Sequence, residues 1–299
     1  MLASAPGKVF LFGEHAVVYK RHAVVSAINL RCYAKVEKAS DFKIISPLGI
    51  TGIDFKIHPY ISYAIKRFNQ IRRINGARIE IKSQIPIASG LGSSAAVTVS
   101  VLKALDSEFE AGLDNETIYE LARLVELDVQ GIASGTDPFL STYGGSWLIP
   151  ERKKIDIKDL EIIVINTEKR SITAEMVKKV AELKKKYPEI TESIFNTIDQ
   201  ISLAAVDFLH KGNLSSLSDL VVLNQLMLKS LGVSTQKIDK IIEEVEKLGL
   251  KLKITGAGGG GCLIGFGDKK TLEKIKKRYN AFIITPEKDG ARVENGPTL

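Results

Sequence analysis

The stretch IPIASGLGSSAAV, Ile85–Val97, carries two glycines, three serines and no charge. Before it, ARIEIKS (Ala77–Ser83) alternates, with Ala77, Ile79 and Ile81 on one face, and predicts a strand. After it, SSAAVTVSVLKALDSEF (Ser93–Phe109) is apolar almost all round and predicts a buried helix. A bare loop between strand and helix lets backbone N–H groups converge on a ligand, and the positive end of the helix points at the same spot. Ser93 and Ser94 add hydroxyls, one of which suits a metal ion. This is the chemistry of a phosphate cradle, although no Lys-Ser/Thr pair closes it as in a P-loop. Read alone, the same residues also make a tight turn capped by serine.

Working outward, KVFLF, HAVVSAINL and RCYAKVE predict strands on the N-terminal side. HPYISYAIKRFNQIRRI predicts a helix with Ile61, Ala64, Ile65, Phe68 and Ile71 on one stripe. On the C-terminal side, NETIYELARLVELDVQ predicts a second helix with Ile118, Leu121, Ala122, Val125 and Val129 inward. GIASGTDPF reads as a loop and GSWLIP as a strand. Pro150 and the polar ERKKIDIKD mark a domain joint. The second half runs from a strand, EIIVINT, through four helices: Thr173 to Lys186, Thr191 to Lys211, Leu214 to Leu231 and Ser234 to Leu248. The strands KLKIT and CLIGF, a helix and AFIIT close it. This predicts an α+β chain of two domains, 1–155 and 156–299. Such a division suits 299 residues, too many for one comfortable core.

Apolar residues make up 44% and charged ones 26%, so a folded core is expected and disorder is not. The net charge of +7 sits on lysines spread along helical segments such as MVKKVAELKKKY. With no zinc spacing, RNA-binding aromatic signature or Arg-rich arm, nucleic acid is not the expected partner; an anionic small molecule fits the charge as well. Cys32 and Cys262 make neither a disulfide framework nor a metal cluster. No signal peptide or membrane-length apolar run is seen, so a cytoplasmic location away from membranes is expected.

Four further places could carry chemistry. SAPGKVFLFGEHAVVY brings Lys8, Glu14 and His15 to one strand and its turn, a set that can bind a polar anion or simply form a charged surface turn. Glu126 lies at the flank of an inward helical stripe, where a carboxylate needs a cation, a salt bridge or a helix end. Asp137, between Gly135 and Pro138, is held by a fixed turn and can serve as no more than a turn residue. KITGAGGGGC (Lys253–Cys262) places another bare backbone between two apolar strands, and its glycines cost conformational entropy on folding.

In this order, PGKVFLFGEHAVVY, PIASGLGSSAAV and KITGAGGGGC resemble the three motifs of the GHMP small-molecule kinases. GEHAVVY and GIASGTDPFLSTYGG are similar to the branch that phosphorylates mevalonate on the route to isoprenoids. The resemblance covers roughly residues 4 to 265 and implies a ribosomal-protein-S5-like N-terminal domain and a ferredoxin-like C-terminal domain. It implies ATP as co-substrate and Mg²⁺ as cofactor. Gly90, Leu91, Gly92, Ser93 and Ser94 match the phosphate loop, and Gly256, Ala257 and Gly258 the third nucleotide-side motif. Ser94 and Glu126 match the Mg²⁺ ligands. Asp137 matches the catalytic base, and Lys8 the lysine beside it. Glu14, His15 and Thr173 match acceptor-side residues. A homodimer is the commonest assembly to expect. One departure is Lys20, where members of the family often have glycine; Arg21 and His22 follow it and place cations near the acceptor side. The alternatives are a relative acting on phosphomevalonate or a sugar, or a nucleotide-binding sensor on the same fold, which would have no need of a base.

Overall fold

In a computed structural model describing residues 1–86, 89–131, 133–157 and 159–294, the chain folds into two sheets with helices packed around them. Ile87 and Ala88 of the small-residue stretch and Ile132 of GIASGTDPF lie outside the described residues. The first sheet has the order β12-β1-β2-β5-β3-β4, with β6 and β7 continuing from β2. Its strands are β1 (Leu2–Phe12), β2 (Ala23–Lys38), β3 (Phe42–Ser46), β4 (Gly49–Thr51), β5 (Ala77–Ser83), β6 (Ser146–Ile149), β7 (Lys153–Ile155) and β12 (Arg292–Val293). HAVVSAINL and RCYAKVE form one strand rather than two, since β2 pairs along most of its length with β1 and then β5.

Against this sheet pack α2 (Ser93–Phe109) and α4 (Thr136–Tyr143), and α1 (Pro59–Phe68) and α3 (Asn115–Gln130) pack on α2 and on each other. As its all-round apolarity demands, α2 runs through the middle, touching β1, β2, α1, α3 and α4. The α1 stripe is buried at Ile61, Ala64, Ile65 and Phe68, but the helix ends there and Ile71 is exposed. The expected loop over GIASGTDPF is corrected as well. Gly135 takes a left-handed φ of 70° and starts α4, with Pro138 in the first turn, where a missing N–H costs nothing. Asp137 therefore stands at a helix N-terminus.

The second sheet, β11-β8-β10-β9, contains β8 (Ile162–Asn166), β9 (Lys253–Thr255), β10 (Cys262–Phe266) and β11 (Ala281–Ile284), all antiparallel. Its helices are α5 (Thr173–Lys186), α6 (Pro188–Lys211), α7 (Leu214–Ser230), α8 (Gln236–Glu246) and α9 (Lys269–Lys276). Helical chain between β8 and β9, a direct β9–β10 link, and α9 before β11 give the ferredoxin-like succession, with fourth, first, third and second strands adjacent. Pro188 stops α5 and also opens α6, since proline suits a first helical turn.

Period-2 alternation explains why EIIVINT is apolar throughout. Ile162 and Val164 join the core that includes β1, β2 and α2, whereas Ile163 and Ile165 join a second core with Val180, Phe195 and Ile238. One face of the second sheet thus packs on the first unit and the other on its own helices. That contact carries the third glycine loop to the first motif.

Candidate active site

β1 delivers Lys8 from a strand whose side chains are almost all buried, and Lys8 itself is only 5% exposed. A buried ammonium needs partners. Lys8 Nζ donates to the Gly90 carbonyl at 3.1 Å and lies 3.2 Å from Asp137 Oδ1. The Lys8 N–H donates to the Leu91 carbonyl at 2.9 Å, so the small-residue loop is pinned directly against β1. Asp137, partly open to solvent, sits at the positive end of α4 beside this ammonium, a place that favours negative charge. Residues 8, 90 and 137, remote in sequence, thus meet at one point.

The loop itself turns through left-handed backbone at Gly90 (φ 78°) and Gly92 (φ 72°). Gly92 begins α2 without a capping side chain. The first N–H groups of that helix, from Ser93 to Ala95, therefore have no intrahelical acceptor and are available to an anion. Ser93 and Ser94 are half-buried at this end, and neither hydroxyl takes a hydrogen bond among the described residues.

Glu126 resolves one of the three choices left open by its position. Among the described residues it has no ion pair; its Oε2 accepts the Gly135 N–H at 3.2 Å, helping to start α4. Burial, and next the charge of Asp137, push its carboxyl up to about 7. A half-buried carboxylate destabilised by a second carboxylate is the environment a divalent cation relieves. Ser94 and Glu126, with phosphate oxygens and water, make a hard oxygen set that fits Mg²⁺. No group of three or more His, Cys, Asp or Glu suited to a metal occurs among the described residues, so any such ion would rely on these sparse donors.

This has a consequence for the metal-free protein. A carboxylate whose folded pKa is raised above its unfolded value binds protons preferentially in the native state, so stability falls as pH rises from about 4.5 to about 7. Glu126→Gln is expected to remove that decline, giving a Tm in EDTA that exceeds the native Tm above pH 7 and approaches it below pH 5. The same variant should require more Mg²⁺ for turnover. A lower Tm at pH 8 with an unchanged Mg²⁺ requirement would mark Glu126 as structural only.

The first motif continues into a tight turn. Glu14 is buried in an ion pair with Lys253 of β9, and its Oε2 has no hydrogen-bond partner among the described residues. Burial pushes Glu14 up and Lys253 down from their ordinary ranges, and each partner opposes the other's shift. His15, at φ 62°, places Nε2 2.8 Å from the Ala257 carbonyl of the third motif. Burial lowers the His15 pKa, so the neutral ring donates this bond from Nε2. Gly256, Ala257 and Gly258 thereby lie against the first motif. Ser171 donates to the Gly258 carbonyl at 2.5 Å, tying the start of α5 to the same loop. Thr173 is exposed at that helix start, and no hydrogen bond among the described residues joins it to Lys8 or Asp137.

Lys20 occupies left-handed backbone at φ 62°, which accounts for the fit of glycine there and shows that the turn survives lysine. Arg21 and His22 are engaged by carboxylates: Arg21 pairs with Glu192, and His22 with Asp199 and Glu151. The sequence reading missed Lys253, Thr255 and Ser171. Lysine at the centre of the apolar LKI was the available signal for the first, since a buried ammonium requires an acid.

Known proteins resemble the chain along its whole length. The family model of the GHMP kinases N terminal domain matches residues 59–145, and that of the GHMP kinases C terminal matches residues 205–285. The mevalonate kinase of Archaeoglobus fulgidus is 54% identical over 294 residues, covering 98% of this chain and 100% of the relative. That of Methanothermobacter thermautotrophicus is 36% identical, covering 88% of each. Among solved structures, the mevalonate kinase of Methanococcus jannaschii superposes with a TM-score of 0.84 at 31% identity, over 99% of this chain and 98% of that one.

Proposed function

This chain belongs to the GHMP kinase family, and from that premise we propose that it transfers the γ-phosphoryl group of ATP to the primary hydroxyl of mevalonate, giving 5-phosphomevalonate and ADP. The observation that carries the chemistry is the meeting of Lys8, Asp137 and the Gly90 carbonyl beside the uncapped start of α2. Phosphoryl transfer needs placement and charge neutralisation more than covalent participation by the protein. The free N–H groups of Ser93 to Ala95 and the bare loop at Gly90–Gly92 receive phosphate oxygens. Gly256–Gly258 line the nucleotide side of the same site.

Asp137 acts on the acceptor. An alcohol is far too weak an acid to be ionised in advance. Asp137 orients the hydroxyl and takes its proton late, as negative charge leaves that oxygen. Lys8, already shared between Asp137 and Gly90, stabilises charge on the nucleophilic oxygen and fixes the carboxylate relative to the loop. Ser94 and Glu126 would hold Mg²⁺, which supplies neutralisation of the phosphate charge when bound. Glu14, His15 and Thr173 belong to the acceptor side in this reading, Glu14 by shaping the turn from beneath. No helix of the described residues is long and apolar enough to cross a membrane. The reading places the enzyme in the cytoplasm, with 1–155 and 156–299 as its two domains and a homodimer as its assembly.

The test is ADP release by the purified protein in Mg²⁺, with mevalonate, phosphomevalonate, galactose, homoserine or no acceptor. Mevalonate alone is expected to drive turnover. Acceptor-independent ADP release, or a preference for another acceptor, would overturn the assignment.

A further inference from the structure

Lys253, the buried partner of Glu14, has no role in the steps above, and its surroundings are unusual. Lys253 is wholly buried, on a three-residue strand that leads directly into the third glycine loop. Its ammonium bonds Glu14 Oε1, donates to the Ile254 carbonyl at 2.8 Å and lies 5.6 Å from the Phe12 ring centre. Two residues on, the Thr255 hydroxyl donates to the Phe10 carbonyl at 3.0 Å and accepts the Phe10 N–H at 3.2 Å. Two further on, the Ala257 carbonyl meets His15. Lys253 and Thr255, alternate residues of β9, thus present one strand face to Glu14 and Phe10, and the loop that follows fastens His15 through a backbone carbonyl.

The turn they fasten needs fastening. His15 has a positive φ without being glycine, and such a conformation persists only where its surroundings over-determine it. A buried ion pair is a poor source of stability, since apolar replacements are often neutral or better. Here it is also incompletely satisfied, with Glu14 Oε2 buried and unpartnered among the described residues. Position is what the pair provides: it sets the Gly13–His15 turn against the strand that carries the nucleotide-side loop.

We propose that Lys253 is a positioning residue for the acceptor side of the site, acting through Glu14 to hold the Gly13–His15 turn in register with the third glycine loop. This rests on the acceptor-side assignment made above. The native protein must first show mevalonate-dependent turnover; its absence would fault that assignment and not this one.

The variants are Lys253→Met, which removes charge and donors, and Lys253→Gln, which keeps a neutral donor for Glu14. Lys253→Met is expected to raise the KM for mevalonate about 10- to 100-fold, with the ATP KM within about twofold of native, because displacement of a positioned group acts on the ligand it faces. Lys253→Gln is expected to show a smaller rise in the same parameter alone. Introduced on a Glu14→Gln background, Lys253→Met should add little further to the mevalonate KM, since Lys253 acts through that carboxylate. A mevalonate KM within about twofold of native in whichever Lys253 variant folds, or equal rises in both KM values, overturns the proposal. Failure of both variants to fold marks the pair as structural and overturns it too.

Discussion

Asp137→Asn lowers kcat by about 10²–10⁴-fold, the usual contribution of a general base, while ATP affinity barely changes. The amide keeps the size of the side chain and can still meet the acceptor hydroxyl, but it cannot take the proton. Asp137 is the second residue of α4 and no side chain caps that helix, so no capping bond is lost and the helix start should persist. Lys8 loses its ionic partner yet keeps the Gly90 carbonyl at 3.1 Å, which limits the loss in Tm. Were Asp137 only a helix-start residue, asparagine would preserve both stability and turnover; near-normal turnover sinks the catalytic assignment. Lys8→Met should reproduce much of the loss in kcat. Because Lys8 also holds the Gly90 carbonyl, it should weaken ATP binding more than Asp137→Asn does. The double variant should lose less than the product of the two singles, since both groups act on one oxygen.

What could be read in the sequence follows how local each signal is. α5 has the bounds that its stop signal gives, Thr173 to Lys186 with Pro188 just beyond, and α2 is buried because it has no polar face. The β3–β4 hairpin and the return of Arg292–Val293 to pair with Ala3 and Ser4 left no trace in the pattern. Pairings that short are decided by the partner strand rather than by their own residues. α4 was hidden for a related reason: eight residues that follow a glycine and contain proline show too few turns for a period to register.

Within the candidate site, the single motifs were ambiguous in proportion to their independence. Glu126 admitted a cation, a salt bridge or a helix end, and only the fold, by placing Arg123 against Glu120 and Gly135 against Glu126, removed the ion-pair choice among the described residues. Glu14 and His15 were legible as a chemical pair. Their opposite attachments to Lys253 and Ala257 required the second sheet to be in place. The order of three motifs carried what no one of them did, because a resemblance over roughly residues 4 to 265 constrains tertiary neighbours that periodicity cannot.

Gly92→Val should abolish measurable turnover and reduce ATP affinity by about 100-fold or more, because a single change damages both halves of the site. A Cβ at Gly92 would stand 2.8 Å from Lys8 Cγ and 3.3 Å from the Lys8 backbone nitrogen. Lys8 is hemmed in by Gly90, Leu91 and Asp137, so the side chain has to leave its place or the loop has to lift. A β-branched residue at φ 72° adds backbone strain, for which left-handed conformation alone costs about 1–2 kcal/mol. Gly90→Ala separates the two causes. Gly90 is equally left-handed at φ 78°, but among the described residues a Cβ there would meet only the Thr255 carbonyl, at an ordinary 3.8 Å. It therefore carries the strain without the collision, and its turnover should stay within about tenfold of native, the equivalent of about 1.4 kcal/mol. Isothermal titration with a non-hydrolysable ATP analogue, beside kcat for both variants, reads the difference. Undiminished nucleotide binding in Gly92→Val would remove the loop as the phosphate cradle. Equal losses in the two variants would show that backbone conformation, and not the contact of Gly92 with Lys8, is what makes the loop work.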